Sequence, residues 1–236
     1  MAELKAGLPP LPPKMAGVPI DDRGFPVPWF VQWINGKPDH RVMDSRKLPL
    51  AVNQGLCWQC GGPLGRYKSF VIGPMCSITG SIAEPPSHLE CARYACTACP
   101  FITRPHAKRR EVKEPHVEQA GLPILRNPGC IAVWTTKTYK AYRTGRGGAP
   151  GNDGILFRFG PPESIEWYAE GRQATRAEVD ESIASGVHLL IERAEQQDRE
   201  EGGDAAMREL ERLRAVSKAL LDAQPWPDAP PAAVEA

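Results

Sequence analysis

The chain has 236 residues, 42% of them hydrophobic and 24% charged, with a formal net charge of +1, which is long enough for a real core in one large or two small domains. It holds no run of about eighteen apolar residues, so no membrane-spanning helix is expected, and its start, MAELKAGLPPLPPKMAG, lacks the basic opening and apolar run of a signal peptide. The near-zero charge hides a division: residues 1–92 carry 9 Lys and Arg against 7 Asp and Glu, residues 93–158 carry 12 against 4, and residues 159–236 carry 8 against 17.

Residues 1–22 are Pro-rich and poor in large apolar side chains, which predicts a disordered or extended arm. Residues 23–172 then read as one α+β domain, with a metal core at 50–105 and an antiparallel sheet at 129–170. WFVQWINGKPDHRVMD reads as a β-hairpin: Trp29 to Ile34, a turn over Asn35 to Asp39, then His40 to Met43. Alternation places Trp29, Val31 and Trp33 on one face, expected to be core. His40 and His106 have no partner at ligand spacing and read as polar loop residues.

Six of the seven cysteines lie between Cys57 and Cys99. In a cytoplasmic protein, the expected setting here, clustered cysteines more often hold metal than form disulfides. Cys57-x-x-Cys60-Gly-Gly is a knuckle that brings two thiolates to one ion. The second half-site is expected in Ser87-His88-Leu89-Glu90-Cys91. There Ser87 and Glu90 fit a capping box, and His88 and Cys91 fall one helical turn apart at a helix start. A strand pair over Tyr67 to Met75 would fill the gap between the halves. Cys96-x-x-Cys99 is the rival half-site, and Cys76 with Cys99 at a second ion is another. The bland alternative makes Cys76, Cys96 and Cys99 small buried hydrophobes. A redox role for Cys57-x-x-Cys60 lacks the flanking βαβ pattern.

A knuckle followed by a helix start resembles treble-clef zinc sites over residues 57–99. That resemblance implies Zn2+ held by Cys57, Cys60, His88 and Cys91, in a zinc-stabilised α+β core with a small antiparallel sheet and a C-terminal helical hairpin. The Pro-rich ends and lack of a catalytic signature are similar to small accessory proteins of phages and prophages. The zinc-deaminase pattern fails, because no Pro-Cys-x-x-Cys follows His88-Leu-Glu. With four protein ligands, the site reads as structural and the chain more as a binding protein than an enzyme. A zinc-dependent hydrolase or nuclease is the weaker alternative.

Beyond the helix expected to end near Cys99, before Pro100, comes a basic segment. Arg104, Lys108, Arg109 and Arg110, with Lys137, Lys140, Arg143 and Arg146, form a candidate nucleic-acid contact set, and Tyr139 and Tyr142 are candidate stacking residues. The opposing reading is a solvated face, or cations docked on the acidic last third. Ile131 to Arg143 reads as one strand, Gly145–Gly154 as a flexible hairpin tip without P-loop features, and Ile155 to Phe159 as the return strand. Ser164 to Tyr168 reads as a third strand.

Residues 173–222 read as an acidic helical hairpin. Thr175 and Glu178 form a capping box, Gly186 and Gly202-Gly203 break the helices, and Asp204 is the expected cap of the last one. Met207, Leu210, Leu213, Val216 and Leu220 form a stripe that its own sheet or another copy must cover. Residues 223–236 read as a tail. The function expected is binding of nucleic acid or a nucleoprotein complex. The alternative is a protein-interaction adaptor acting through the acidic hairpin, with self-association through these helices.

Overall fold

Two strands, not one, form from the stretch Ile131 to Arg143, and the break between them organises the molecule. The computed structural model describes residues 3–104, 106–107, 127–143 and 155–227. Lys108, Arg109, Arg110, Arg146 and the Gly145–Gly154 loop lie outside the described residues. In chain order the elements are a 3-10 turn at Pro13–Met15, β1 (Val31–Ile34), β2 (Lys37–Met43), α1 (Lys47–Gln54), β3 (Lys68–Ile72), α2 (Pro74–Thr79), β4 (Ser81–Ile82), α3 (Leu89–Ala98), α4 (Pro100–Thr103), β5 (Cys130–Thr136), β6 (Tyr139–Arg143), β7 (Ile155–Phe159), β8 (Ser164–Ala169), β9 (Arg172–Gln173), α5 (Arg176–Ala184), α6 (Val187–Glu201) and α7 (Ala205–Asp222).

Strand β5 sits inside a four-stranded antiparallel sheet ordered β3-β5-β8-β9. Its even-numbered side chains, Cys130, Ala132 and Trp134, join Phe70, Ile72 and Trp167 in the main core. Its odd-numbered ones, Ile131 and Val133, meet Ala92 and Cys96 of α3. Burial on both faces explains why β5 is apolar throughout rather than alternating. At Lys137-Thr138 the chain leaves this sheet, and the Thr138 N–H and carbonyl are taken up by Thr136 Oγ1 and Gly160 N–H, at 3.3 and 2.8 Å. Strand β6 then enters a second sheet, β4-β7-β6, which packs Tyr139, Phe157 and Phe159 onto the main core. The layers therefore run α3, four-stranded sheet, three-stranded sheet.

The β1–β2 ribbon has a two-residue turn at Asn35 and Gly36 (φ 50° and 75°), shorter than the five-residue turn expected, because both residues take the positive φ of a tight hairpin. Val31 is buried, but Trp33 is 46% exposed, contrary to its expected place in a core. A β-bulge between Val31 and Gln32 breaks the alternation that would have put both side chains on one face. The strand expected to reach Met75 stops at Ile72. Pro74 opens α2 instead, in the first turn where its missing N–H is harmless.

In the C-terminal third the Thr175–Glu178 capping box is present, and Arg172 beside Glu178 pulls its carboxyl down to about 2. The apolar stripe of α7 is covered by its own chain: Leu210 packs with Met75, Ile78 and Ala194, and Leu221 reaches the main core. Val216 is 48% exposed, because six residues beyond Leu210 a helix has turned about 120° off that face. Trp226, in the expected tail, packs against the main core and donates to the Leu221 carbonyl at 2.9 Å. Among the described residues no helix is long and apolar enough to cross a membrane.

The start of α7 is not capped by Asp204, which makes no side-chain cap bond. Asp198, near the end of α6, accepts from the Ala206 and Met207 N–H groups at 2.8 and 3.0 Å. It thereby ties the two helices together across Gly202-Gly203. Asp198→Ala is expected to lower stability by about 1 kcal/mol in chemical denaturation, a typical cap loss. Asp204→Ala is expected to change it by less than about 0.5 kcal/mol; equal losses would contradict this assignment.

Candidate metal centre

Cys57 and Cys60 sit on a tight turn closed by Cys57 N–H to Gly62 O and Gly61 N–H to Cys57 O, both 2.8 Å. Gly61 has φ +73°, and a Cβ there would lie 2.6 Å from the Trp29 ring. Only glycine meets both demands. The turn's middle is held by aromatic packing that sequence reasoning missed. Trp58 is buried, stacks on Phe30 at 5.0 Å and meets Trp29 edge-on at 6.2 Å, while Trp29 N–H donates to the Gln59 carbonyl at 2.6 Å.

The second half of the cluster comes from the start of α3, but without the expected capping box. Ser87 exchanges backbone bonds with Ser69 at the edge of β3. Glu90 instead pairs with Lys14 at 3.0 Å. His88 is therefore the N-cap, and Cys91 lies three residues on, in the first helical turn. There the unpaired N–H groups and helix dipole favour negative sulfur. Between the half-sites run β3, α2 and β4 rather than the strand pair expected of a treble clef.

Cys57 Sγ, Cys60 Sγ, Cys91 Sγ and one ring nitrogen of His88 all lie within 4.8 Å of one another. His88 Nδ1 is 3.4 Å from Cys60 Sγ and 3.8 Å from Cys91 Sγ. A tetrahedral zinc with ordinary Zn–S and Zn–N bonds needs N···S separations of about 3.5 Å, so the spacing fits such an ion. The tautomer is fixed as well. His88 Nε2 lies 2.9 Å from the Pro63 carbonyl, which can only accept, so Nε2 carries the proton and Nδ1 turns its lone pair to the sulfurs.

Hydrogen bonding from the Cys91 thiol, then from the Cys60, His88 and Gln59 N–H groups, pulls the Cys57 thiol below its usual range despite its burial. Sharing that proton with Cys57 pushes Cys91 up, and burial beside Cys57 pushes Cys60 up. The metal-free cluster thus keeps protons that a divalent cation displaces. Cys96 takes no part: it is fully buried against Val133 and Tyr168, on the sheet side of α3. Cys76 lies on α2 against the main core, and Cys99 caps the end of α3.

The arm expected to be disordered forms the other wall of this centre. Met15 is 1% exposed and packs with Cys57, Cys91, Tyr94 and Ala98, flanked by Leu8, Leu11 and Val18. Few as they are, these apolar residues all converge on the dry side of the sulfurs, and the arm's prolines limit the entropy lost in docking.

Of the basic candidates, Arg104, Lys137, Lys140 and Arg143 lie among the described residues. Arg104 is exposed at the end of α4. Lys140 is exposed on β6, cross-strand from Arg158, and Arg143 is exposed at its end. Lys137 pairs with Glu163 at 2.7 Å. Tyr139 is half-buried in the core, its ring 5.6 Å from that of Phe70, and so is no stacking platform. Tyr142 donates to Ser81 Oγ at 3.2 Å.

No protein-family model, curated protein or solved structure matches this chain. The treble-clef and phage-protein likenesses accordingly rest on ligand spacing and composition alone.

Gly61→Ala is expected to strip the bound metal and lower the melting temperature, because the new methyl strikes the Trp29 ring and strains the turn. Gly65→Ala, with nothing within 4 Å of its added carbon, is the control and should behave as the parent. Full metal content in Gly61→Ala would contradict the role given to this turn.

Proposed function

We propose that the chain is a zinc-stabilised binding protein, with Cys57, Cys60, His88 and Cys91 holding one Zn2+ in a structural role and nucleic acid as its partner. The observation that carries the zinc reading is the convergence of three sulfurs with a histidine whose tautomer is set by Pro63. Four protein donors fill a tetrahedral ion, which leaves no position for a reacting water and favours a structural site over a hydrolytic one. Knuckle plus helix start is the ligand plan of treble-clef sites, and the likeness extends no further than that plan.

The nucleic-acid reading is supported by the excess of cations in the middle third and by exposed Lys140 and Arg143 on β6. The adaptor reading rests on the acidic hairpin, whose α7 stripe at Met207, Leu210 and Leu213 packs with residues of α2 and α6 and so offers a partner less apolar surface.

Metal analysis of the purified chain is expected to give about one zinc per molecule. Cys60→Ser and His88→Ala should lose it and melt at much lower temperature, because structural zinc supplies on the order of ten kcal/mol of folding free energy. Cys96→Ala should keep it. A metal-free protein whose melting is indifferent to Cys60→Ser would overturn the zinc reading.

A further inference from the structure

The segment joining the knuckle to β3 is tied down at both ends and bare in the middle. At one end the Pro63 carbonyl accepts from His88, and Leu64 N–H donates to the Gly55 carbonyl at 2.8 Å, with its side chain against the sulfur cluster. At the other end Lys68 enters β3 opposite Thr136. Between them Gly65, Arg66 and Tyr67 are exposed, Tyr67 by 47%. The turn from β5 to β6 brings Lys137 to the same place from 69 residues away: Lys68 Nζ donates to the Arg66 carbonyl at 3.1 Å and to the Lys137 carbonyl at 3.4 Å. The Arg66 guanidinium lies 5.8 Å and Lys137 Nζ 5.7 Å from the centroid of the Tyr67 ring.

Two cations thus lie over one exposed aromatic ring, with Lys68 bridging the backbones that carry them, and Lys137 is paired with Glu163, itself 40% exposed. An exposed pair of this kind holds Lys137 only weakly. We propose that Arg66, Tyr67, Lys68 and Lys137 form a binding surface for single-stranded nucleic acid, a base stacking on Tyr67 and its flanking phosphates taken by the three cations. The proposal rests on the nucleic-acid reading above and gives it a location around Tyr67, taking Lys137 from the basic segment at 104–146.

Charge and shape select the occupant. A net-positive patch favours a polyanion, and phosphate contacts supply affinity without regard to sequence. At 5.7 to 5.8 Å from the centroid, the two cations lie within cation–π range of the ring, an exposed contact worth little that a stacking base would replace. Both are long, exposed side chains that can swing outward to phosphates as a base takes the ring. A duplex keeps its base faces stacked on one another, so only a single strand can use Tyr67. The platform is rigid where it must be, because its anchors are the metal knuckle and the edge strand of the sheet.

The test is fluorescence anisotropy of the zinc-loaded full chain with a labelled oligo(dT) of about twenty nucleotides, a duplex of equal length, and a poly-glutamate peptide. Tyr67→Ala is expected to weaken oligo(dT) binding about 5- to 150-fold, the range for loss of one stacked base, and duplex binding far less. Tyr67→Phe should bind as the parent. The double variant Arg66→Ala/Lys68→Ala should flatten the slope of log affinity against log salt by up to about 1.4, or 0.7 for each lost single-strand phosphate contact. Tyr67 is exposed, so zinc content and melting should stay unchanged in its variants. Tight oligo(dT) binding that Tyr67→Ala leaves intact would overturn this surface while sparing the nucleic-acid reading. Poly-glutamate binding as well as oligo(dT), or equal losses for duplex and single strand, would reduce it to a general anion patch and overturn it too. Failure to bind any oligonucleotide at low salt would overturn the nucleic-acid reading itself.

Discussion

The imidazole of His88 does two jobs at once, and the N-terminal half of the molecule depends on both. Its Nε2–H is committed to the Pro63 carbonyl, which fixes the loop beyond the knuckle. Its Nδ1 lies beside the Cys60 and Cys91 sulfurs, in a cluster with Cys57 that could hold a metal ion. Neither half-site has much to hold it alone: the knuckle is a few residues of turn, and α3 begins without a side-chain cap. Joined, they make a floor on which Met15 and the Pro-rich arm settle, and beside which Trp58 locks Trp29 and Phe30. Each of these contacts is modest, and all presuppose that the two halves are held together.

The Cys57, Cys60, His88 and Cys91 cluster, which could hold a metal ion, was legible in the sequence because metal chemistry restricts residue type and spacing so tightly. Cys-x-x-Cys-Gly-Gly has few other uses, and His88 with Cys91 sits where a helix can begin after Pro85-Pro86. The rival Cys96 was separated from the ligands only by the fold, since its place on the sheet side of α3 depends on Val133 and Tyr168, far along the chain. Propensity likewise marked Ile131 to Arg143 as β but could not show the exit at Lys137-Thr138. That exit is a tertiary matter, settled by Gly160 arriving to pair with Thr138. The helices α1 and α2 were obscured by their prolines, Pro49 and Pro74. Each lies in a first helical turn, where proline is tolerated, and αL glycines close both helices at Gly55 and Gly80.

Composition misled at the N-terminal arm. The arm at 3–22 was judged by its average, Pro-rich and poor in large apolar side chains, yet Leu8, Leu11, Met15 and Val18 pack together at one spot. The basic middle third was read as a run, and of its eight candidates Arg104, Lys137, Lys140 and Arg143 lie among the described residues, with Lys137 paired to Glu163. Net charge along a chain reports total field, not a face. The compact cationic group that the fold does assemble draws Arg66 and Lys68 from the weakly charged first third, and Lys137 from the second. The acidic helices, for their part, spend much of their charge within themselves, as in Arg208 with Asp204 and Arg212 with Glu209.

The central claim is that one ion is held by three sulfurs and one imidazole nitrogen. X-ray absorption at the zinc edge, on the metal-loaded full chain, tests it most directly. The expected first shell is three sulfurs at about 2.3 Å and one nitrogen at about 2.0–2.1 Å. A shell of four sulfurs would place a different cysteine in the site and remove His88 from it, and an oxygen-rich shell would mean that zinc sits elsewhere; either result would contradict the account.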